Sequence, residues 1–440
     1  MQYFSTNRQS PQVDFKQATI NGQAPDRGLY FPEMIPAIPQ ELINNITQYS
    51  NEEIAYQVMQ PYVGDSIPEP ILRNIINETI NFEIPLVQIT NDISSLELYH
   101  GPTLAFKDVG ARFMSRCLGY FVKEQHKKIT VLVATSGDTG GAVASGFYGV
   151  EGIEVVILYP SGKVSLVQEK QLTTLGNNIH ALEVAGNFDD CQHMVKQAFS
   201  DEELKGALFL TSANSINVAR WLPQQLYYFF AYKQWADKSK PPVISVPSGN
   251  FGNICAGILA HISGLPVHHF IAACNANDVV PSFMQTEKYE PKESVATISN
   301  AMDVGNPSNF IRVLEIFHHK FKDLKGVLSS CSISDRETRA ALRSVFENHE
   351  YLLDPHGAVG WVALENYLKE FPGKKGIILE TAHPVKFYDV VEPIINRPVP
   401  IPAAIGGQMQ LQKKSIKIDA DGRLLKSFLL GLANGKKEPL

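Results

Sequence analysis

From about residue 128 the chain alternates short, wholly apolar runs with longer amphipathic stretches. The runs are brief and mostly β-branched: "ITVLVA" at Ile129–Ala134, "IEVVILY" at Ile153–Tyr159, "IHALEV" at Ile179–Val184, "VISV" at Val243–Val246 and "HFIAA" at His269–Ala273. Apolar runs of this length without strict alternation predict strands buried on both faces. The stretches between them, such as Leu166–Leu175, Phe188–Phe199 and Val218–Trp235, have helical length. Strands alternating with helices predict βαβ units and an α/β fold of doubly wound, mostly parallel sheets. A last unit of this kind ends at "GIILETAHP", Gly376–Pro384.

The first 95 residues read differently. They are polar and rich in Asn and Gln, with helical segments near Glu41–Ile46 and Glu52–Met59. This predicts a smaller, mostly helical N-terminal domain over residues 1–95, followed by an α/β core over 96–395. The prolines of "RPVPIPA", Arg397–Ala403, predict an extended arm and tail over 396–440. No internal repeat of solenoid period is present.

Composition narrows the function classes. The chain has 440 residues, 44% hydrophobic and 19% charged, with 39 basic against 45 acidic side chains, a net charge of −6. No global basic field exists to attract nucleic acid or an anionic membrane, and no obligate protein partner is implied. Any anion must therefore be held by a local site. No apolar run approaches membrane-spanning length, and "MQYFSTNRQS" lacks the apolar core of a signal peptide. The five cysteines are scattered and never in C-x-x-C spacing, which argues against a disulfide framework or a zinc site and for a reducing cytoplasm. The pairs His268–His269 and His318–His319 lack H-E-x-x-H spacing, so no metal is expected.

The candidate chemistry gathers where predicted strands end. "ATSGDTGG", Ala134–Gly141, follows "ITVLVA"; "PSGNFGN", Pro247–Asn253, follows "VISV"; "TSANSIN", Thr211–Asn217, follows "ALFL" and opens a helix carrying Arg220. Such turns offer main-chain N–H groups to an anion, although tight βα turns also need glycine for steric reasons alone. Glycines in these turns, Gly249 and Gly252 among them, let an anion approach the backbone closely and can adopt positive φ. Apart from these turns stands "HGPTLAFKD", His100–Asp108, which sets Lys107 among apolar neighbours at a turn-to-helix junction. Desolvation there favours the neutral, nucleophilic amine. Neither a P-loop nor a dinucleotide fingerprint occurs, so a cofactor with one phosphate and a carbonyl fits better. A lysine plus a phosphate cup is the parts list for pyridoxal phosphate.

Together, "ELYHGPTLAFKDVGARF", "ATSGDTGGAVA", "SANSINVAR", "VPSGNFGN" and "ETAHPVKF" resemble the threonine synthases, which are fold-type II pyridoxal-phosphate enzymes. The resemblance runs from "DRGLYFPE" to past residue 390 and is nearer the bacterial and fungal branch than the plant one. It implies pyridoxal 5'-phosphate as cofactor and Lys107 as the Schiff-base lysine. It further implies Gly249, Asn250, Phe251, Gly252 and Asn253 as the phosphate cup, and Thr381 as the hydroxyl meeting the pyridine nitrogen. Thr135, Ser136, Gly137 and Thr139 match the loop for the substrate α-carboxylate, with Asp138 beside the cofactor O3'; related enzymes often have asparagine at Asp138. Asn214, Ser215 and Arg220 match the grip on the substrate phosphate. Arg27 stands where the family more usually has a second glycine. "NAMDVGNPSNF", Asn300–Phe310, also resembles the family without a role to assign, and His356 reads as a satisfied structural histidine.

The reaction so implied turns O-phospho-L-homoserine and water into L-threonine and phosphate, by γ-elimination and β-addition of water. A phospho-lyase or serine/threonine dehydratase releasing 2-oxobutanoate is the alternative on the same fold. The dehydratase pattern "S-F-K-x-R-G" differs from the "A-F-K-D-V-G-A-R" found here.

Overall fold

The computed structural model describes residues 1–125 and 128–435. Two parallel sheets carry the chain. The five-stranded sheet runs in the order Ile416–Asp419, Ile179–Ala185, Ile153–Pro160, Ile129–Ala134, Phe209–Thr211 and is parallel throughout. The six-stranded sheet runs Leu328–Ser332, His269–Cys274, Val243–Pro247, Gly376–Glu380, Ile93–Glu97, Leu86–Gln88; only the last strand is antiparallel. The inner strands are buried on both faces, as their unbroken apolar runs require.

Each sheet has one point where successive strands step in opposite directions. In the five-stranded sheet it lies between Ile129–Ala134 and Phe209–Thr211; in the six-stranded sheet it lies between Val243–Pro247 and Gly376–Glu380. Connections leave opposite faces at such a point, so a crevice opens beyond the strand ends. The turns that follow these four strands are Thr135–Thr139, Ser212–Asn217, Ser248–Asn253 and Thr381–His383. Both sheets therefore turn their crevices to one cleft.

Several expectations need correction. The N-terminal region is not only helical: Gln2–Ser5, Val13–Asp14 and Tyr30–Pro32 form an antiparallel three-stranded sheet. These strands are too short to show alternation. The core begins inside strand Ile93–Glu97, whose "ISSLE" is too polar to read as a buried strand. "LSSCS" at Leu328–Ser332 escaped for the same reason. The stretch expected as one helix from Val218 splits into Val218–Trp221, a 3-10 turn Leu222–Gln224, and Gln225–Gln234. Pro223, lacking an N–H, breaks the hydrogen-bond ladder there. Beyond the prolines the chain is not a simple arm. Ile416–Asp419 adds an edge strand beside Leu182–Ala185, and Leu425, Phe428 and Leu429 of helix Gly422–Ala433 are buried in the core that covers that sheet. Among the described residues no helix is long and apolar enough to cross a membrane.

Candidate active site

Lys107 is the first residue of helix Lys107–Gln125, and the loop before it is tied down from two sides. The Phe106 N–H donates to the Thr381 carbonyl at 2.8 Å, the His383 N–H to the Leu104 carbonyl at 3.0 Å, and Ala105 bridges Ala382. Tyr227 Oη donates to the Phe106 carbonyl. Asp108 is buried and accepts from the Thr103 N–H at 2.9 Å and the Thr103 hydroxyl at 2.5 Å, which closes the turn onto the helix start. A Cβ on Gly101 would lie 2.5 Å from the Asp108 carboxylate, so glycine is required for that closure. Burial pushes the Lys107 amine below the usual lysine range; Asp138 opposes this, while Lys386 and Arg220 reinforce it. The result favours the neutral amine.

The turn after Ile129–Ala134 is organised by Thr135, whose hydroxyl accepts from the N–H groups of Gly137 at 3.0 Å and Gly140 at 2.8 Å. Asp138 starts the next helix and is buried. Its Oδ1 lies 2.9 Å from Lys386 Nζ and accepts from Gln168 Nε2 at 2.9 Å; its Oδ2 lies 3.6 Å from Lys107 Nζ. Burial alone would raise this carboxyl, but the two lysines outweigh it and hold it well below the usual carboxylate range.

Arg220, in the short helix Val218–Trp221, is 4% exposed, and its Nε and Nη1 have no hydrogen-bond partner among the described residues. Burial pushes its guanidinium down to about 10, which still leaves it charged at neutral pH. Asn214 Oδ1 is likewise buried and unpartnered. Ser215 instead accepts from Asn250 Nδ2 at 2.9 Å and Asn309 Nδ2 at 3.0 Å. Its carbonyl and that of Ile216 receive the buried Arg312 guanidinium at 3.1 and 2.6 Å. Asn214 and Ser215 precede the helix rather than opening it, since Asn217 is its N-cap.

After Val243–Pro247 the chain turns through Phe251, which has φ +60 and caps helix Gly252–Ile262. The positive φ falls on this residue, not on Gly249 or Gly252 as the sequence suggested. Gly249 is required by a close approach instead: its Cβ would lie 2.6 Å from Met302 Cα. The main-chain N–H groups of Gly249–Asn253 donate no hydrogen bond to any described residue. Asn253 Nδ2 is buried without a partner, while its Oδ1 takes the Tyr228 hydroxyl at 2.7 Å. Asn250 Oδ1 receives the Ser308 N–H and hydroxyl, each at 2.7 Å.

These turns line one cleft of about 1910 Å³. It brings together Lys107, Thr135, Ser136, Asp138, Thr139, Asn214, Ser215, Arg220, Gly249, Asn250, Phe251, Gly252, Asn253 and Thr381. Gly137 does not line it: this glycine, at φ +138, packs under Gln168, and its N–H is spent on Thr135. Thr381 Oγ1 makes no side-chain hydrogen bond within the described chain. Arg27 reaches the cleft from a left-handed position, φ +66, and Asn300–Met302 form its far wall. His356 also lines it, with Nδ1 at 2.6 Å from Asp354 and Nε2 accepting from the Ala301 N–H at 3.2 Å, so both ring nitrogens are engaged.

Sequence reasoning missed Lys386, Gln168, Asn309 and Arg312. Lys386 in "HPVKF" carried the signal that picked out Lys107, a lysine among apolar residues at a turn after a strand. Chemically, the cleft offers an amine, a row of free main-chain donors and a separate buried guanidinium. That suits a phosphorylated carbonyl compound together with a second anion.

The chain matches the sequence profile of a family described as pyridoxal-phosphate dependent enzyme over residues 93–380. It also matches those of the threonine synthase N terminus over residues 2–80 and the threonine synthase C-terminal region over residues 357–429. The threonine synthase of Serratia marcescens is 44% identical over 433 residues, covering 98% of this chain and 100% of that protein. The crystal structure of threonine synthase from Escherichia coli is similar with a TM-score of 0.90 at 42% identity, covering 97% of this chain and 98% of that one. The structure of PLP-bound threonine synthase from Brucella melitensis gives 0.92 at 34% identity, covering 98% and 99%.

Proposed function

This chain belongs to the threonine synthase family of pyridoxal-phosphate-dependent lyases, and on that footing we propose that it converts O-phospho-L-homoserine and water into L-threonine and phosphate in the cytoplasm. The single observation that carries the substrate assignment is Arg220, a buried guanidinium with two unpartnered nitrogens facing a cleft that also holds a separate main-chain anion cup. One phosphate belongs to the cofactor; the second cationic seat suits the phosphate of the substrate.

The residues fit pyridoxal 5'-phosphate. Lys107 supplies the amine, the free N–H groups of Gly249–Asn253 and the orphaned Asn253 Nδ2 suit a phosphate, and Thr381 offers a hydroxyl to the ring nitrogen. When bound, the cofactor supplies an electron sink that makes protons at the substrate Cα and Cβ removable. Lys107 Nζ, its basicity set by burial, takes the Cα proton and then a Cβ proton, and as phosphate leaves Cγ a proton is delivered to Cγ, which becomes the methyl group of the product. Thr135, Ser136 and Thr139 hold the α-carboxylate. Arg220 orients the phosphate at Cγ and carries its charge as it leaves, with Asn214 beside it and Ser215 held in place by Asn250, Asn309 and Arg312. Water then adds its hydroxyl at Cβ, and a proton returns to Cα.

Borohydride reduction of the holoenzyme followed by peptide mapping tests the anchor. The expected result is cofactor fixed on Lys107 alone, and none fixed in Lys107→Ala. Fixation elsewhere, or equal fixation in the variant, overturns the assignment.

A further inference from the structure

Lys386 sits in the turn Pro384–Phe387 with a fully buried side chain, and it does not line the cleft. Its Nζ donates to the Thr103 carbonyl at 2.7 Å and lies 2.9 Å from Asp138 Oδ1. The same carboxylate faces Lys107 through its other oxygen, at the looser distance of 3.6 Å. Gln168 Nε2 holds Oδ1 from the side, at 2.9 Å. Two lysines thus share one buried carboxylate, and the lysine outside the cleft has the closer claim on it. A cation with no exposure needs a counter-charge, which accounts for the Lys386–Asp138 contact. It does not account for placing that pair beside the amine that must give up its proton.

We infer that Lys386 is a positioning residue for the reaction: by engaging Asp138 it keeps that carboxylate from closing into a tight ion pair with Lys107, and so leaves Lys107 free to act as a base. The network reaches the lysine helix by a second route. Thr103, whose carbonyl takes Lys386 and Gln171, also donates its N–H and hydroxyl to Asp108, the residue after Lys107. The charged groups that bear on Lys107 are Asp138, Lys386 and Arg220. Those that bear on Lys386 are Asp138 and Asp108, with Lys107 and His383 beside them. Asp138 raises the basicity of Lys107 and Lys386 takes back part of that rise, so one carboxylate for Lys107 alone would raise it further.

The inference rests on the functional reading above, and its test separates the two. Holoenzyme of the wild type, Lys386→Met, Lys386→Arg and the double variant Lys386→Met/Asp138→Asn is followed by the pH dependence of kcat for O-phospho-L-homoserine, which reports the complex in which Lys107 is a free amine, and of the visible absorption of the bound cofactor. With Lys386→Met the acid limb should move up by about one pH unit and kcat fall about tenfold near neutrality, with KM little changed. Lys386→Arg should restore the wild-type limb, and the double variant should bring it back to the wild-type limb or below it. An unmoved limb and absorption titration in Lys386→Met overturns the inference. So does an equal loss in Met and Arg variants with unmoved pH profiles, which marks a merely structural lysine. If Lys386→Met does not fold, the Arg and double variants still decide: a double variant whose limb lies above the wild type overturns it. A wild type that carries no cofactor on Lys107 refutes the functional reading instead.

Discussion

Among the described residues Arg220 forms no ion pair, although the Asp108 carboxylate acts on it from further off. Its burial is unfavourable without a partner, and its lowered pKa records that cost. A buried cation kept without a counter-charge is strain that an anionic ligand relieves. Arg220→Lys should therefore leave the cofactor absorption unaltered while kcat/KM falls by roughly ten- to over a hundredfold, the loss of one charged hydrogen bond worth on the order of 1.5–3 kcal/mol. Arg220→Met should lose more activity, yet the ligand-free protein should melt at the same temperature or higher, because the unpaired charge is gone. Normal kinetics with a lowered melting temperature would make Arg220 a packing residue. The sequence placed Arg220 in the grip on the substrate phosphate by resemblance alone; its burial is visible only in the fold. Lys386 and Arg312 were hidden for a related reason. Each acts on residues far away in the chain, Arg312 on Tyr30, Ser215 and Ile216, so spacing holds no trace of the contact.

At the scale of elements, the turn after Val243–Pro247 concentrates the demands on backbone. Gly249 and Gly252 look equivalent in "SGNFG", but the structure assigns them different jobs. A Cβ at Gly249 would strike main chain at Met302, whereas at Gly252 its nearest neighbours lie at 3.4 Å. Gly249→Ala should displace the Asn300–Met302 wall and cost about 1–3 kcal/mol of stability as well as cofactor affinity. Gly252→Ala should stay within about 0.5 kcal/mol in stability and act, if at all, on cofactor affinity. Thermal melts paired with cofactor titration of the two variants check this, and matched stability losses would contradict it. The strands that bracket this turn were legible because burial on both faces writes an uninterrupted apolar run. Those of the N-terminal sheet, and "ISSLE" and "LSSCS" in the core, were not, since short or polar strands take their identity from neighbours.

At the scale of the molecule, function follows from two sheets whose switch points open on the same space. Lys107 and Thr381 reach it from one sheet's side, Thr135 and Arg220 from the other's, and the glycine turn lines it with unengaged main-chain N–H groups. Motif order along the chain announced this convergence, but not its depth or the wall at Asn300–Met302. What the cleft does with its last intermediate distinguishes a threonine synthase from a phospho-lyase that releases 2-oxobutanoate, since both would release phosphate from the same substrate. The decisive measurement is product identification by NMR after incubating holoenzyme with O-phospho-L-homoserine. The account predicts L-threonine in step with released phosphate, with the hydroxyl oxygen drawn from solvent water. Release of phosphate with 2-oxobutanoate and ammonia as the main products would contradict it.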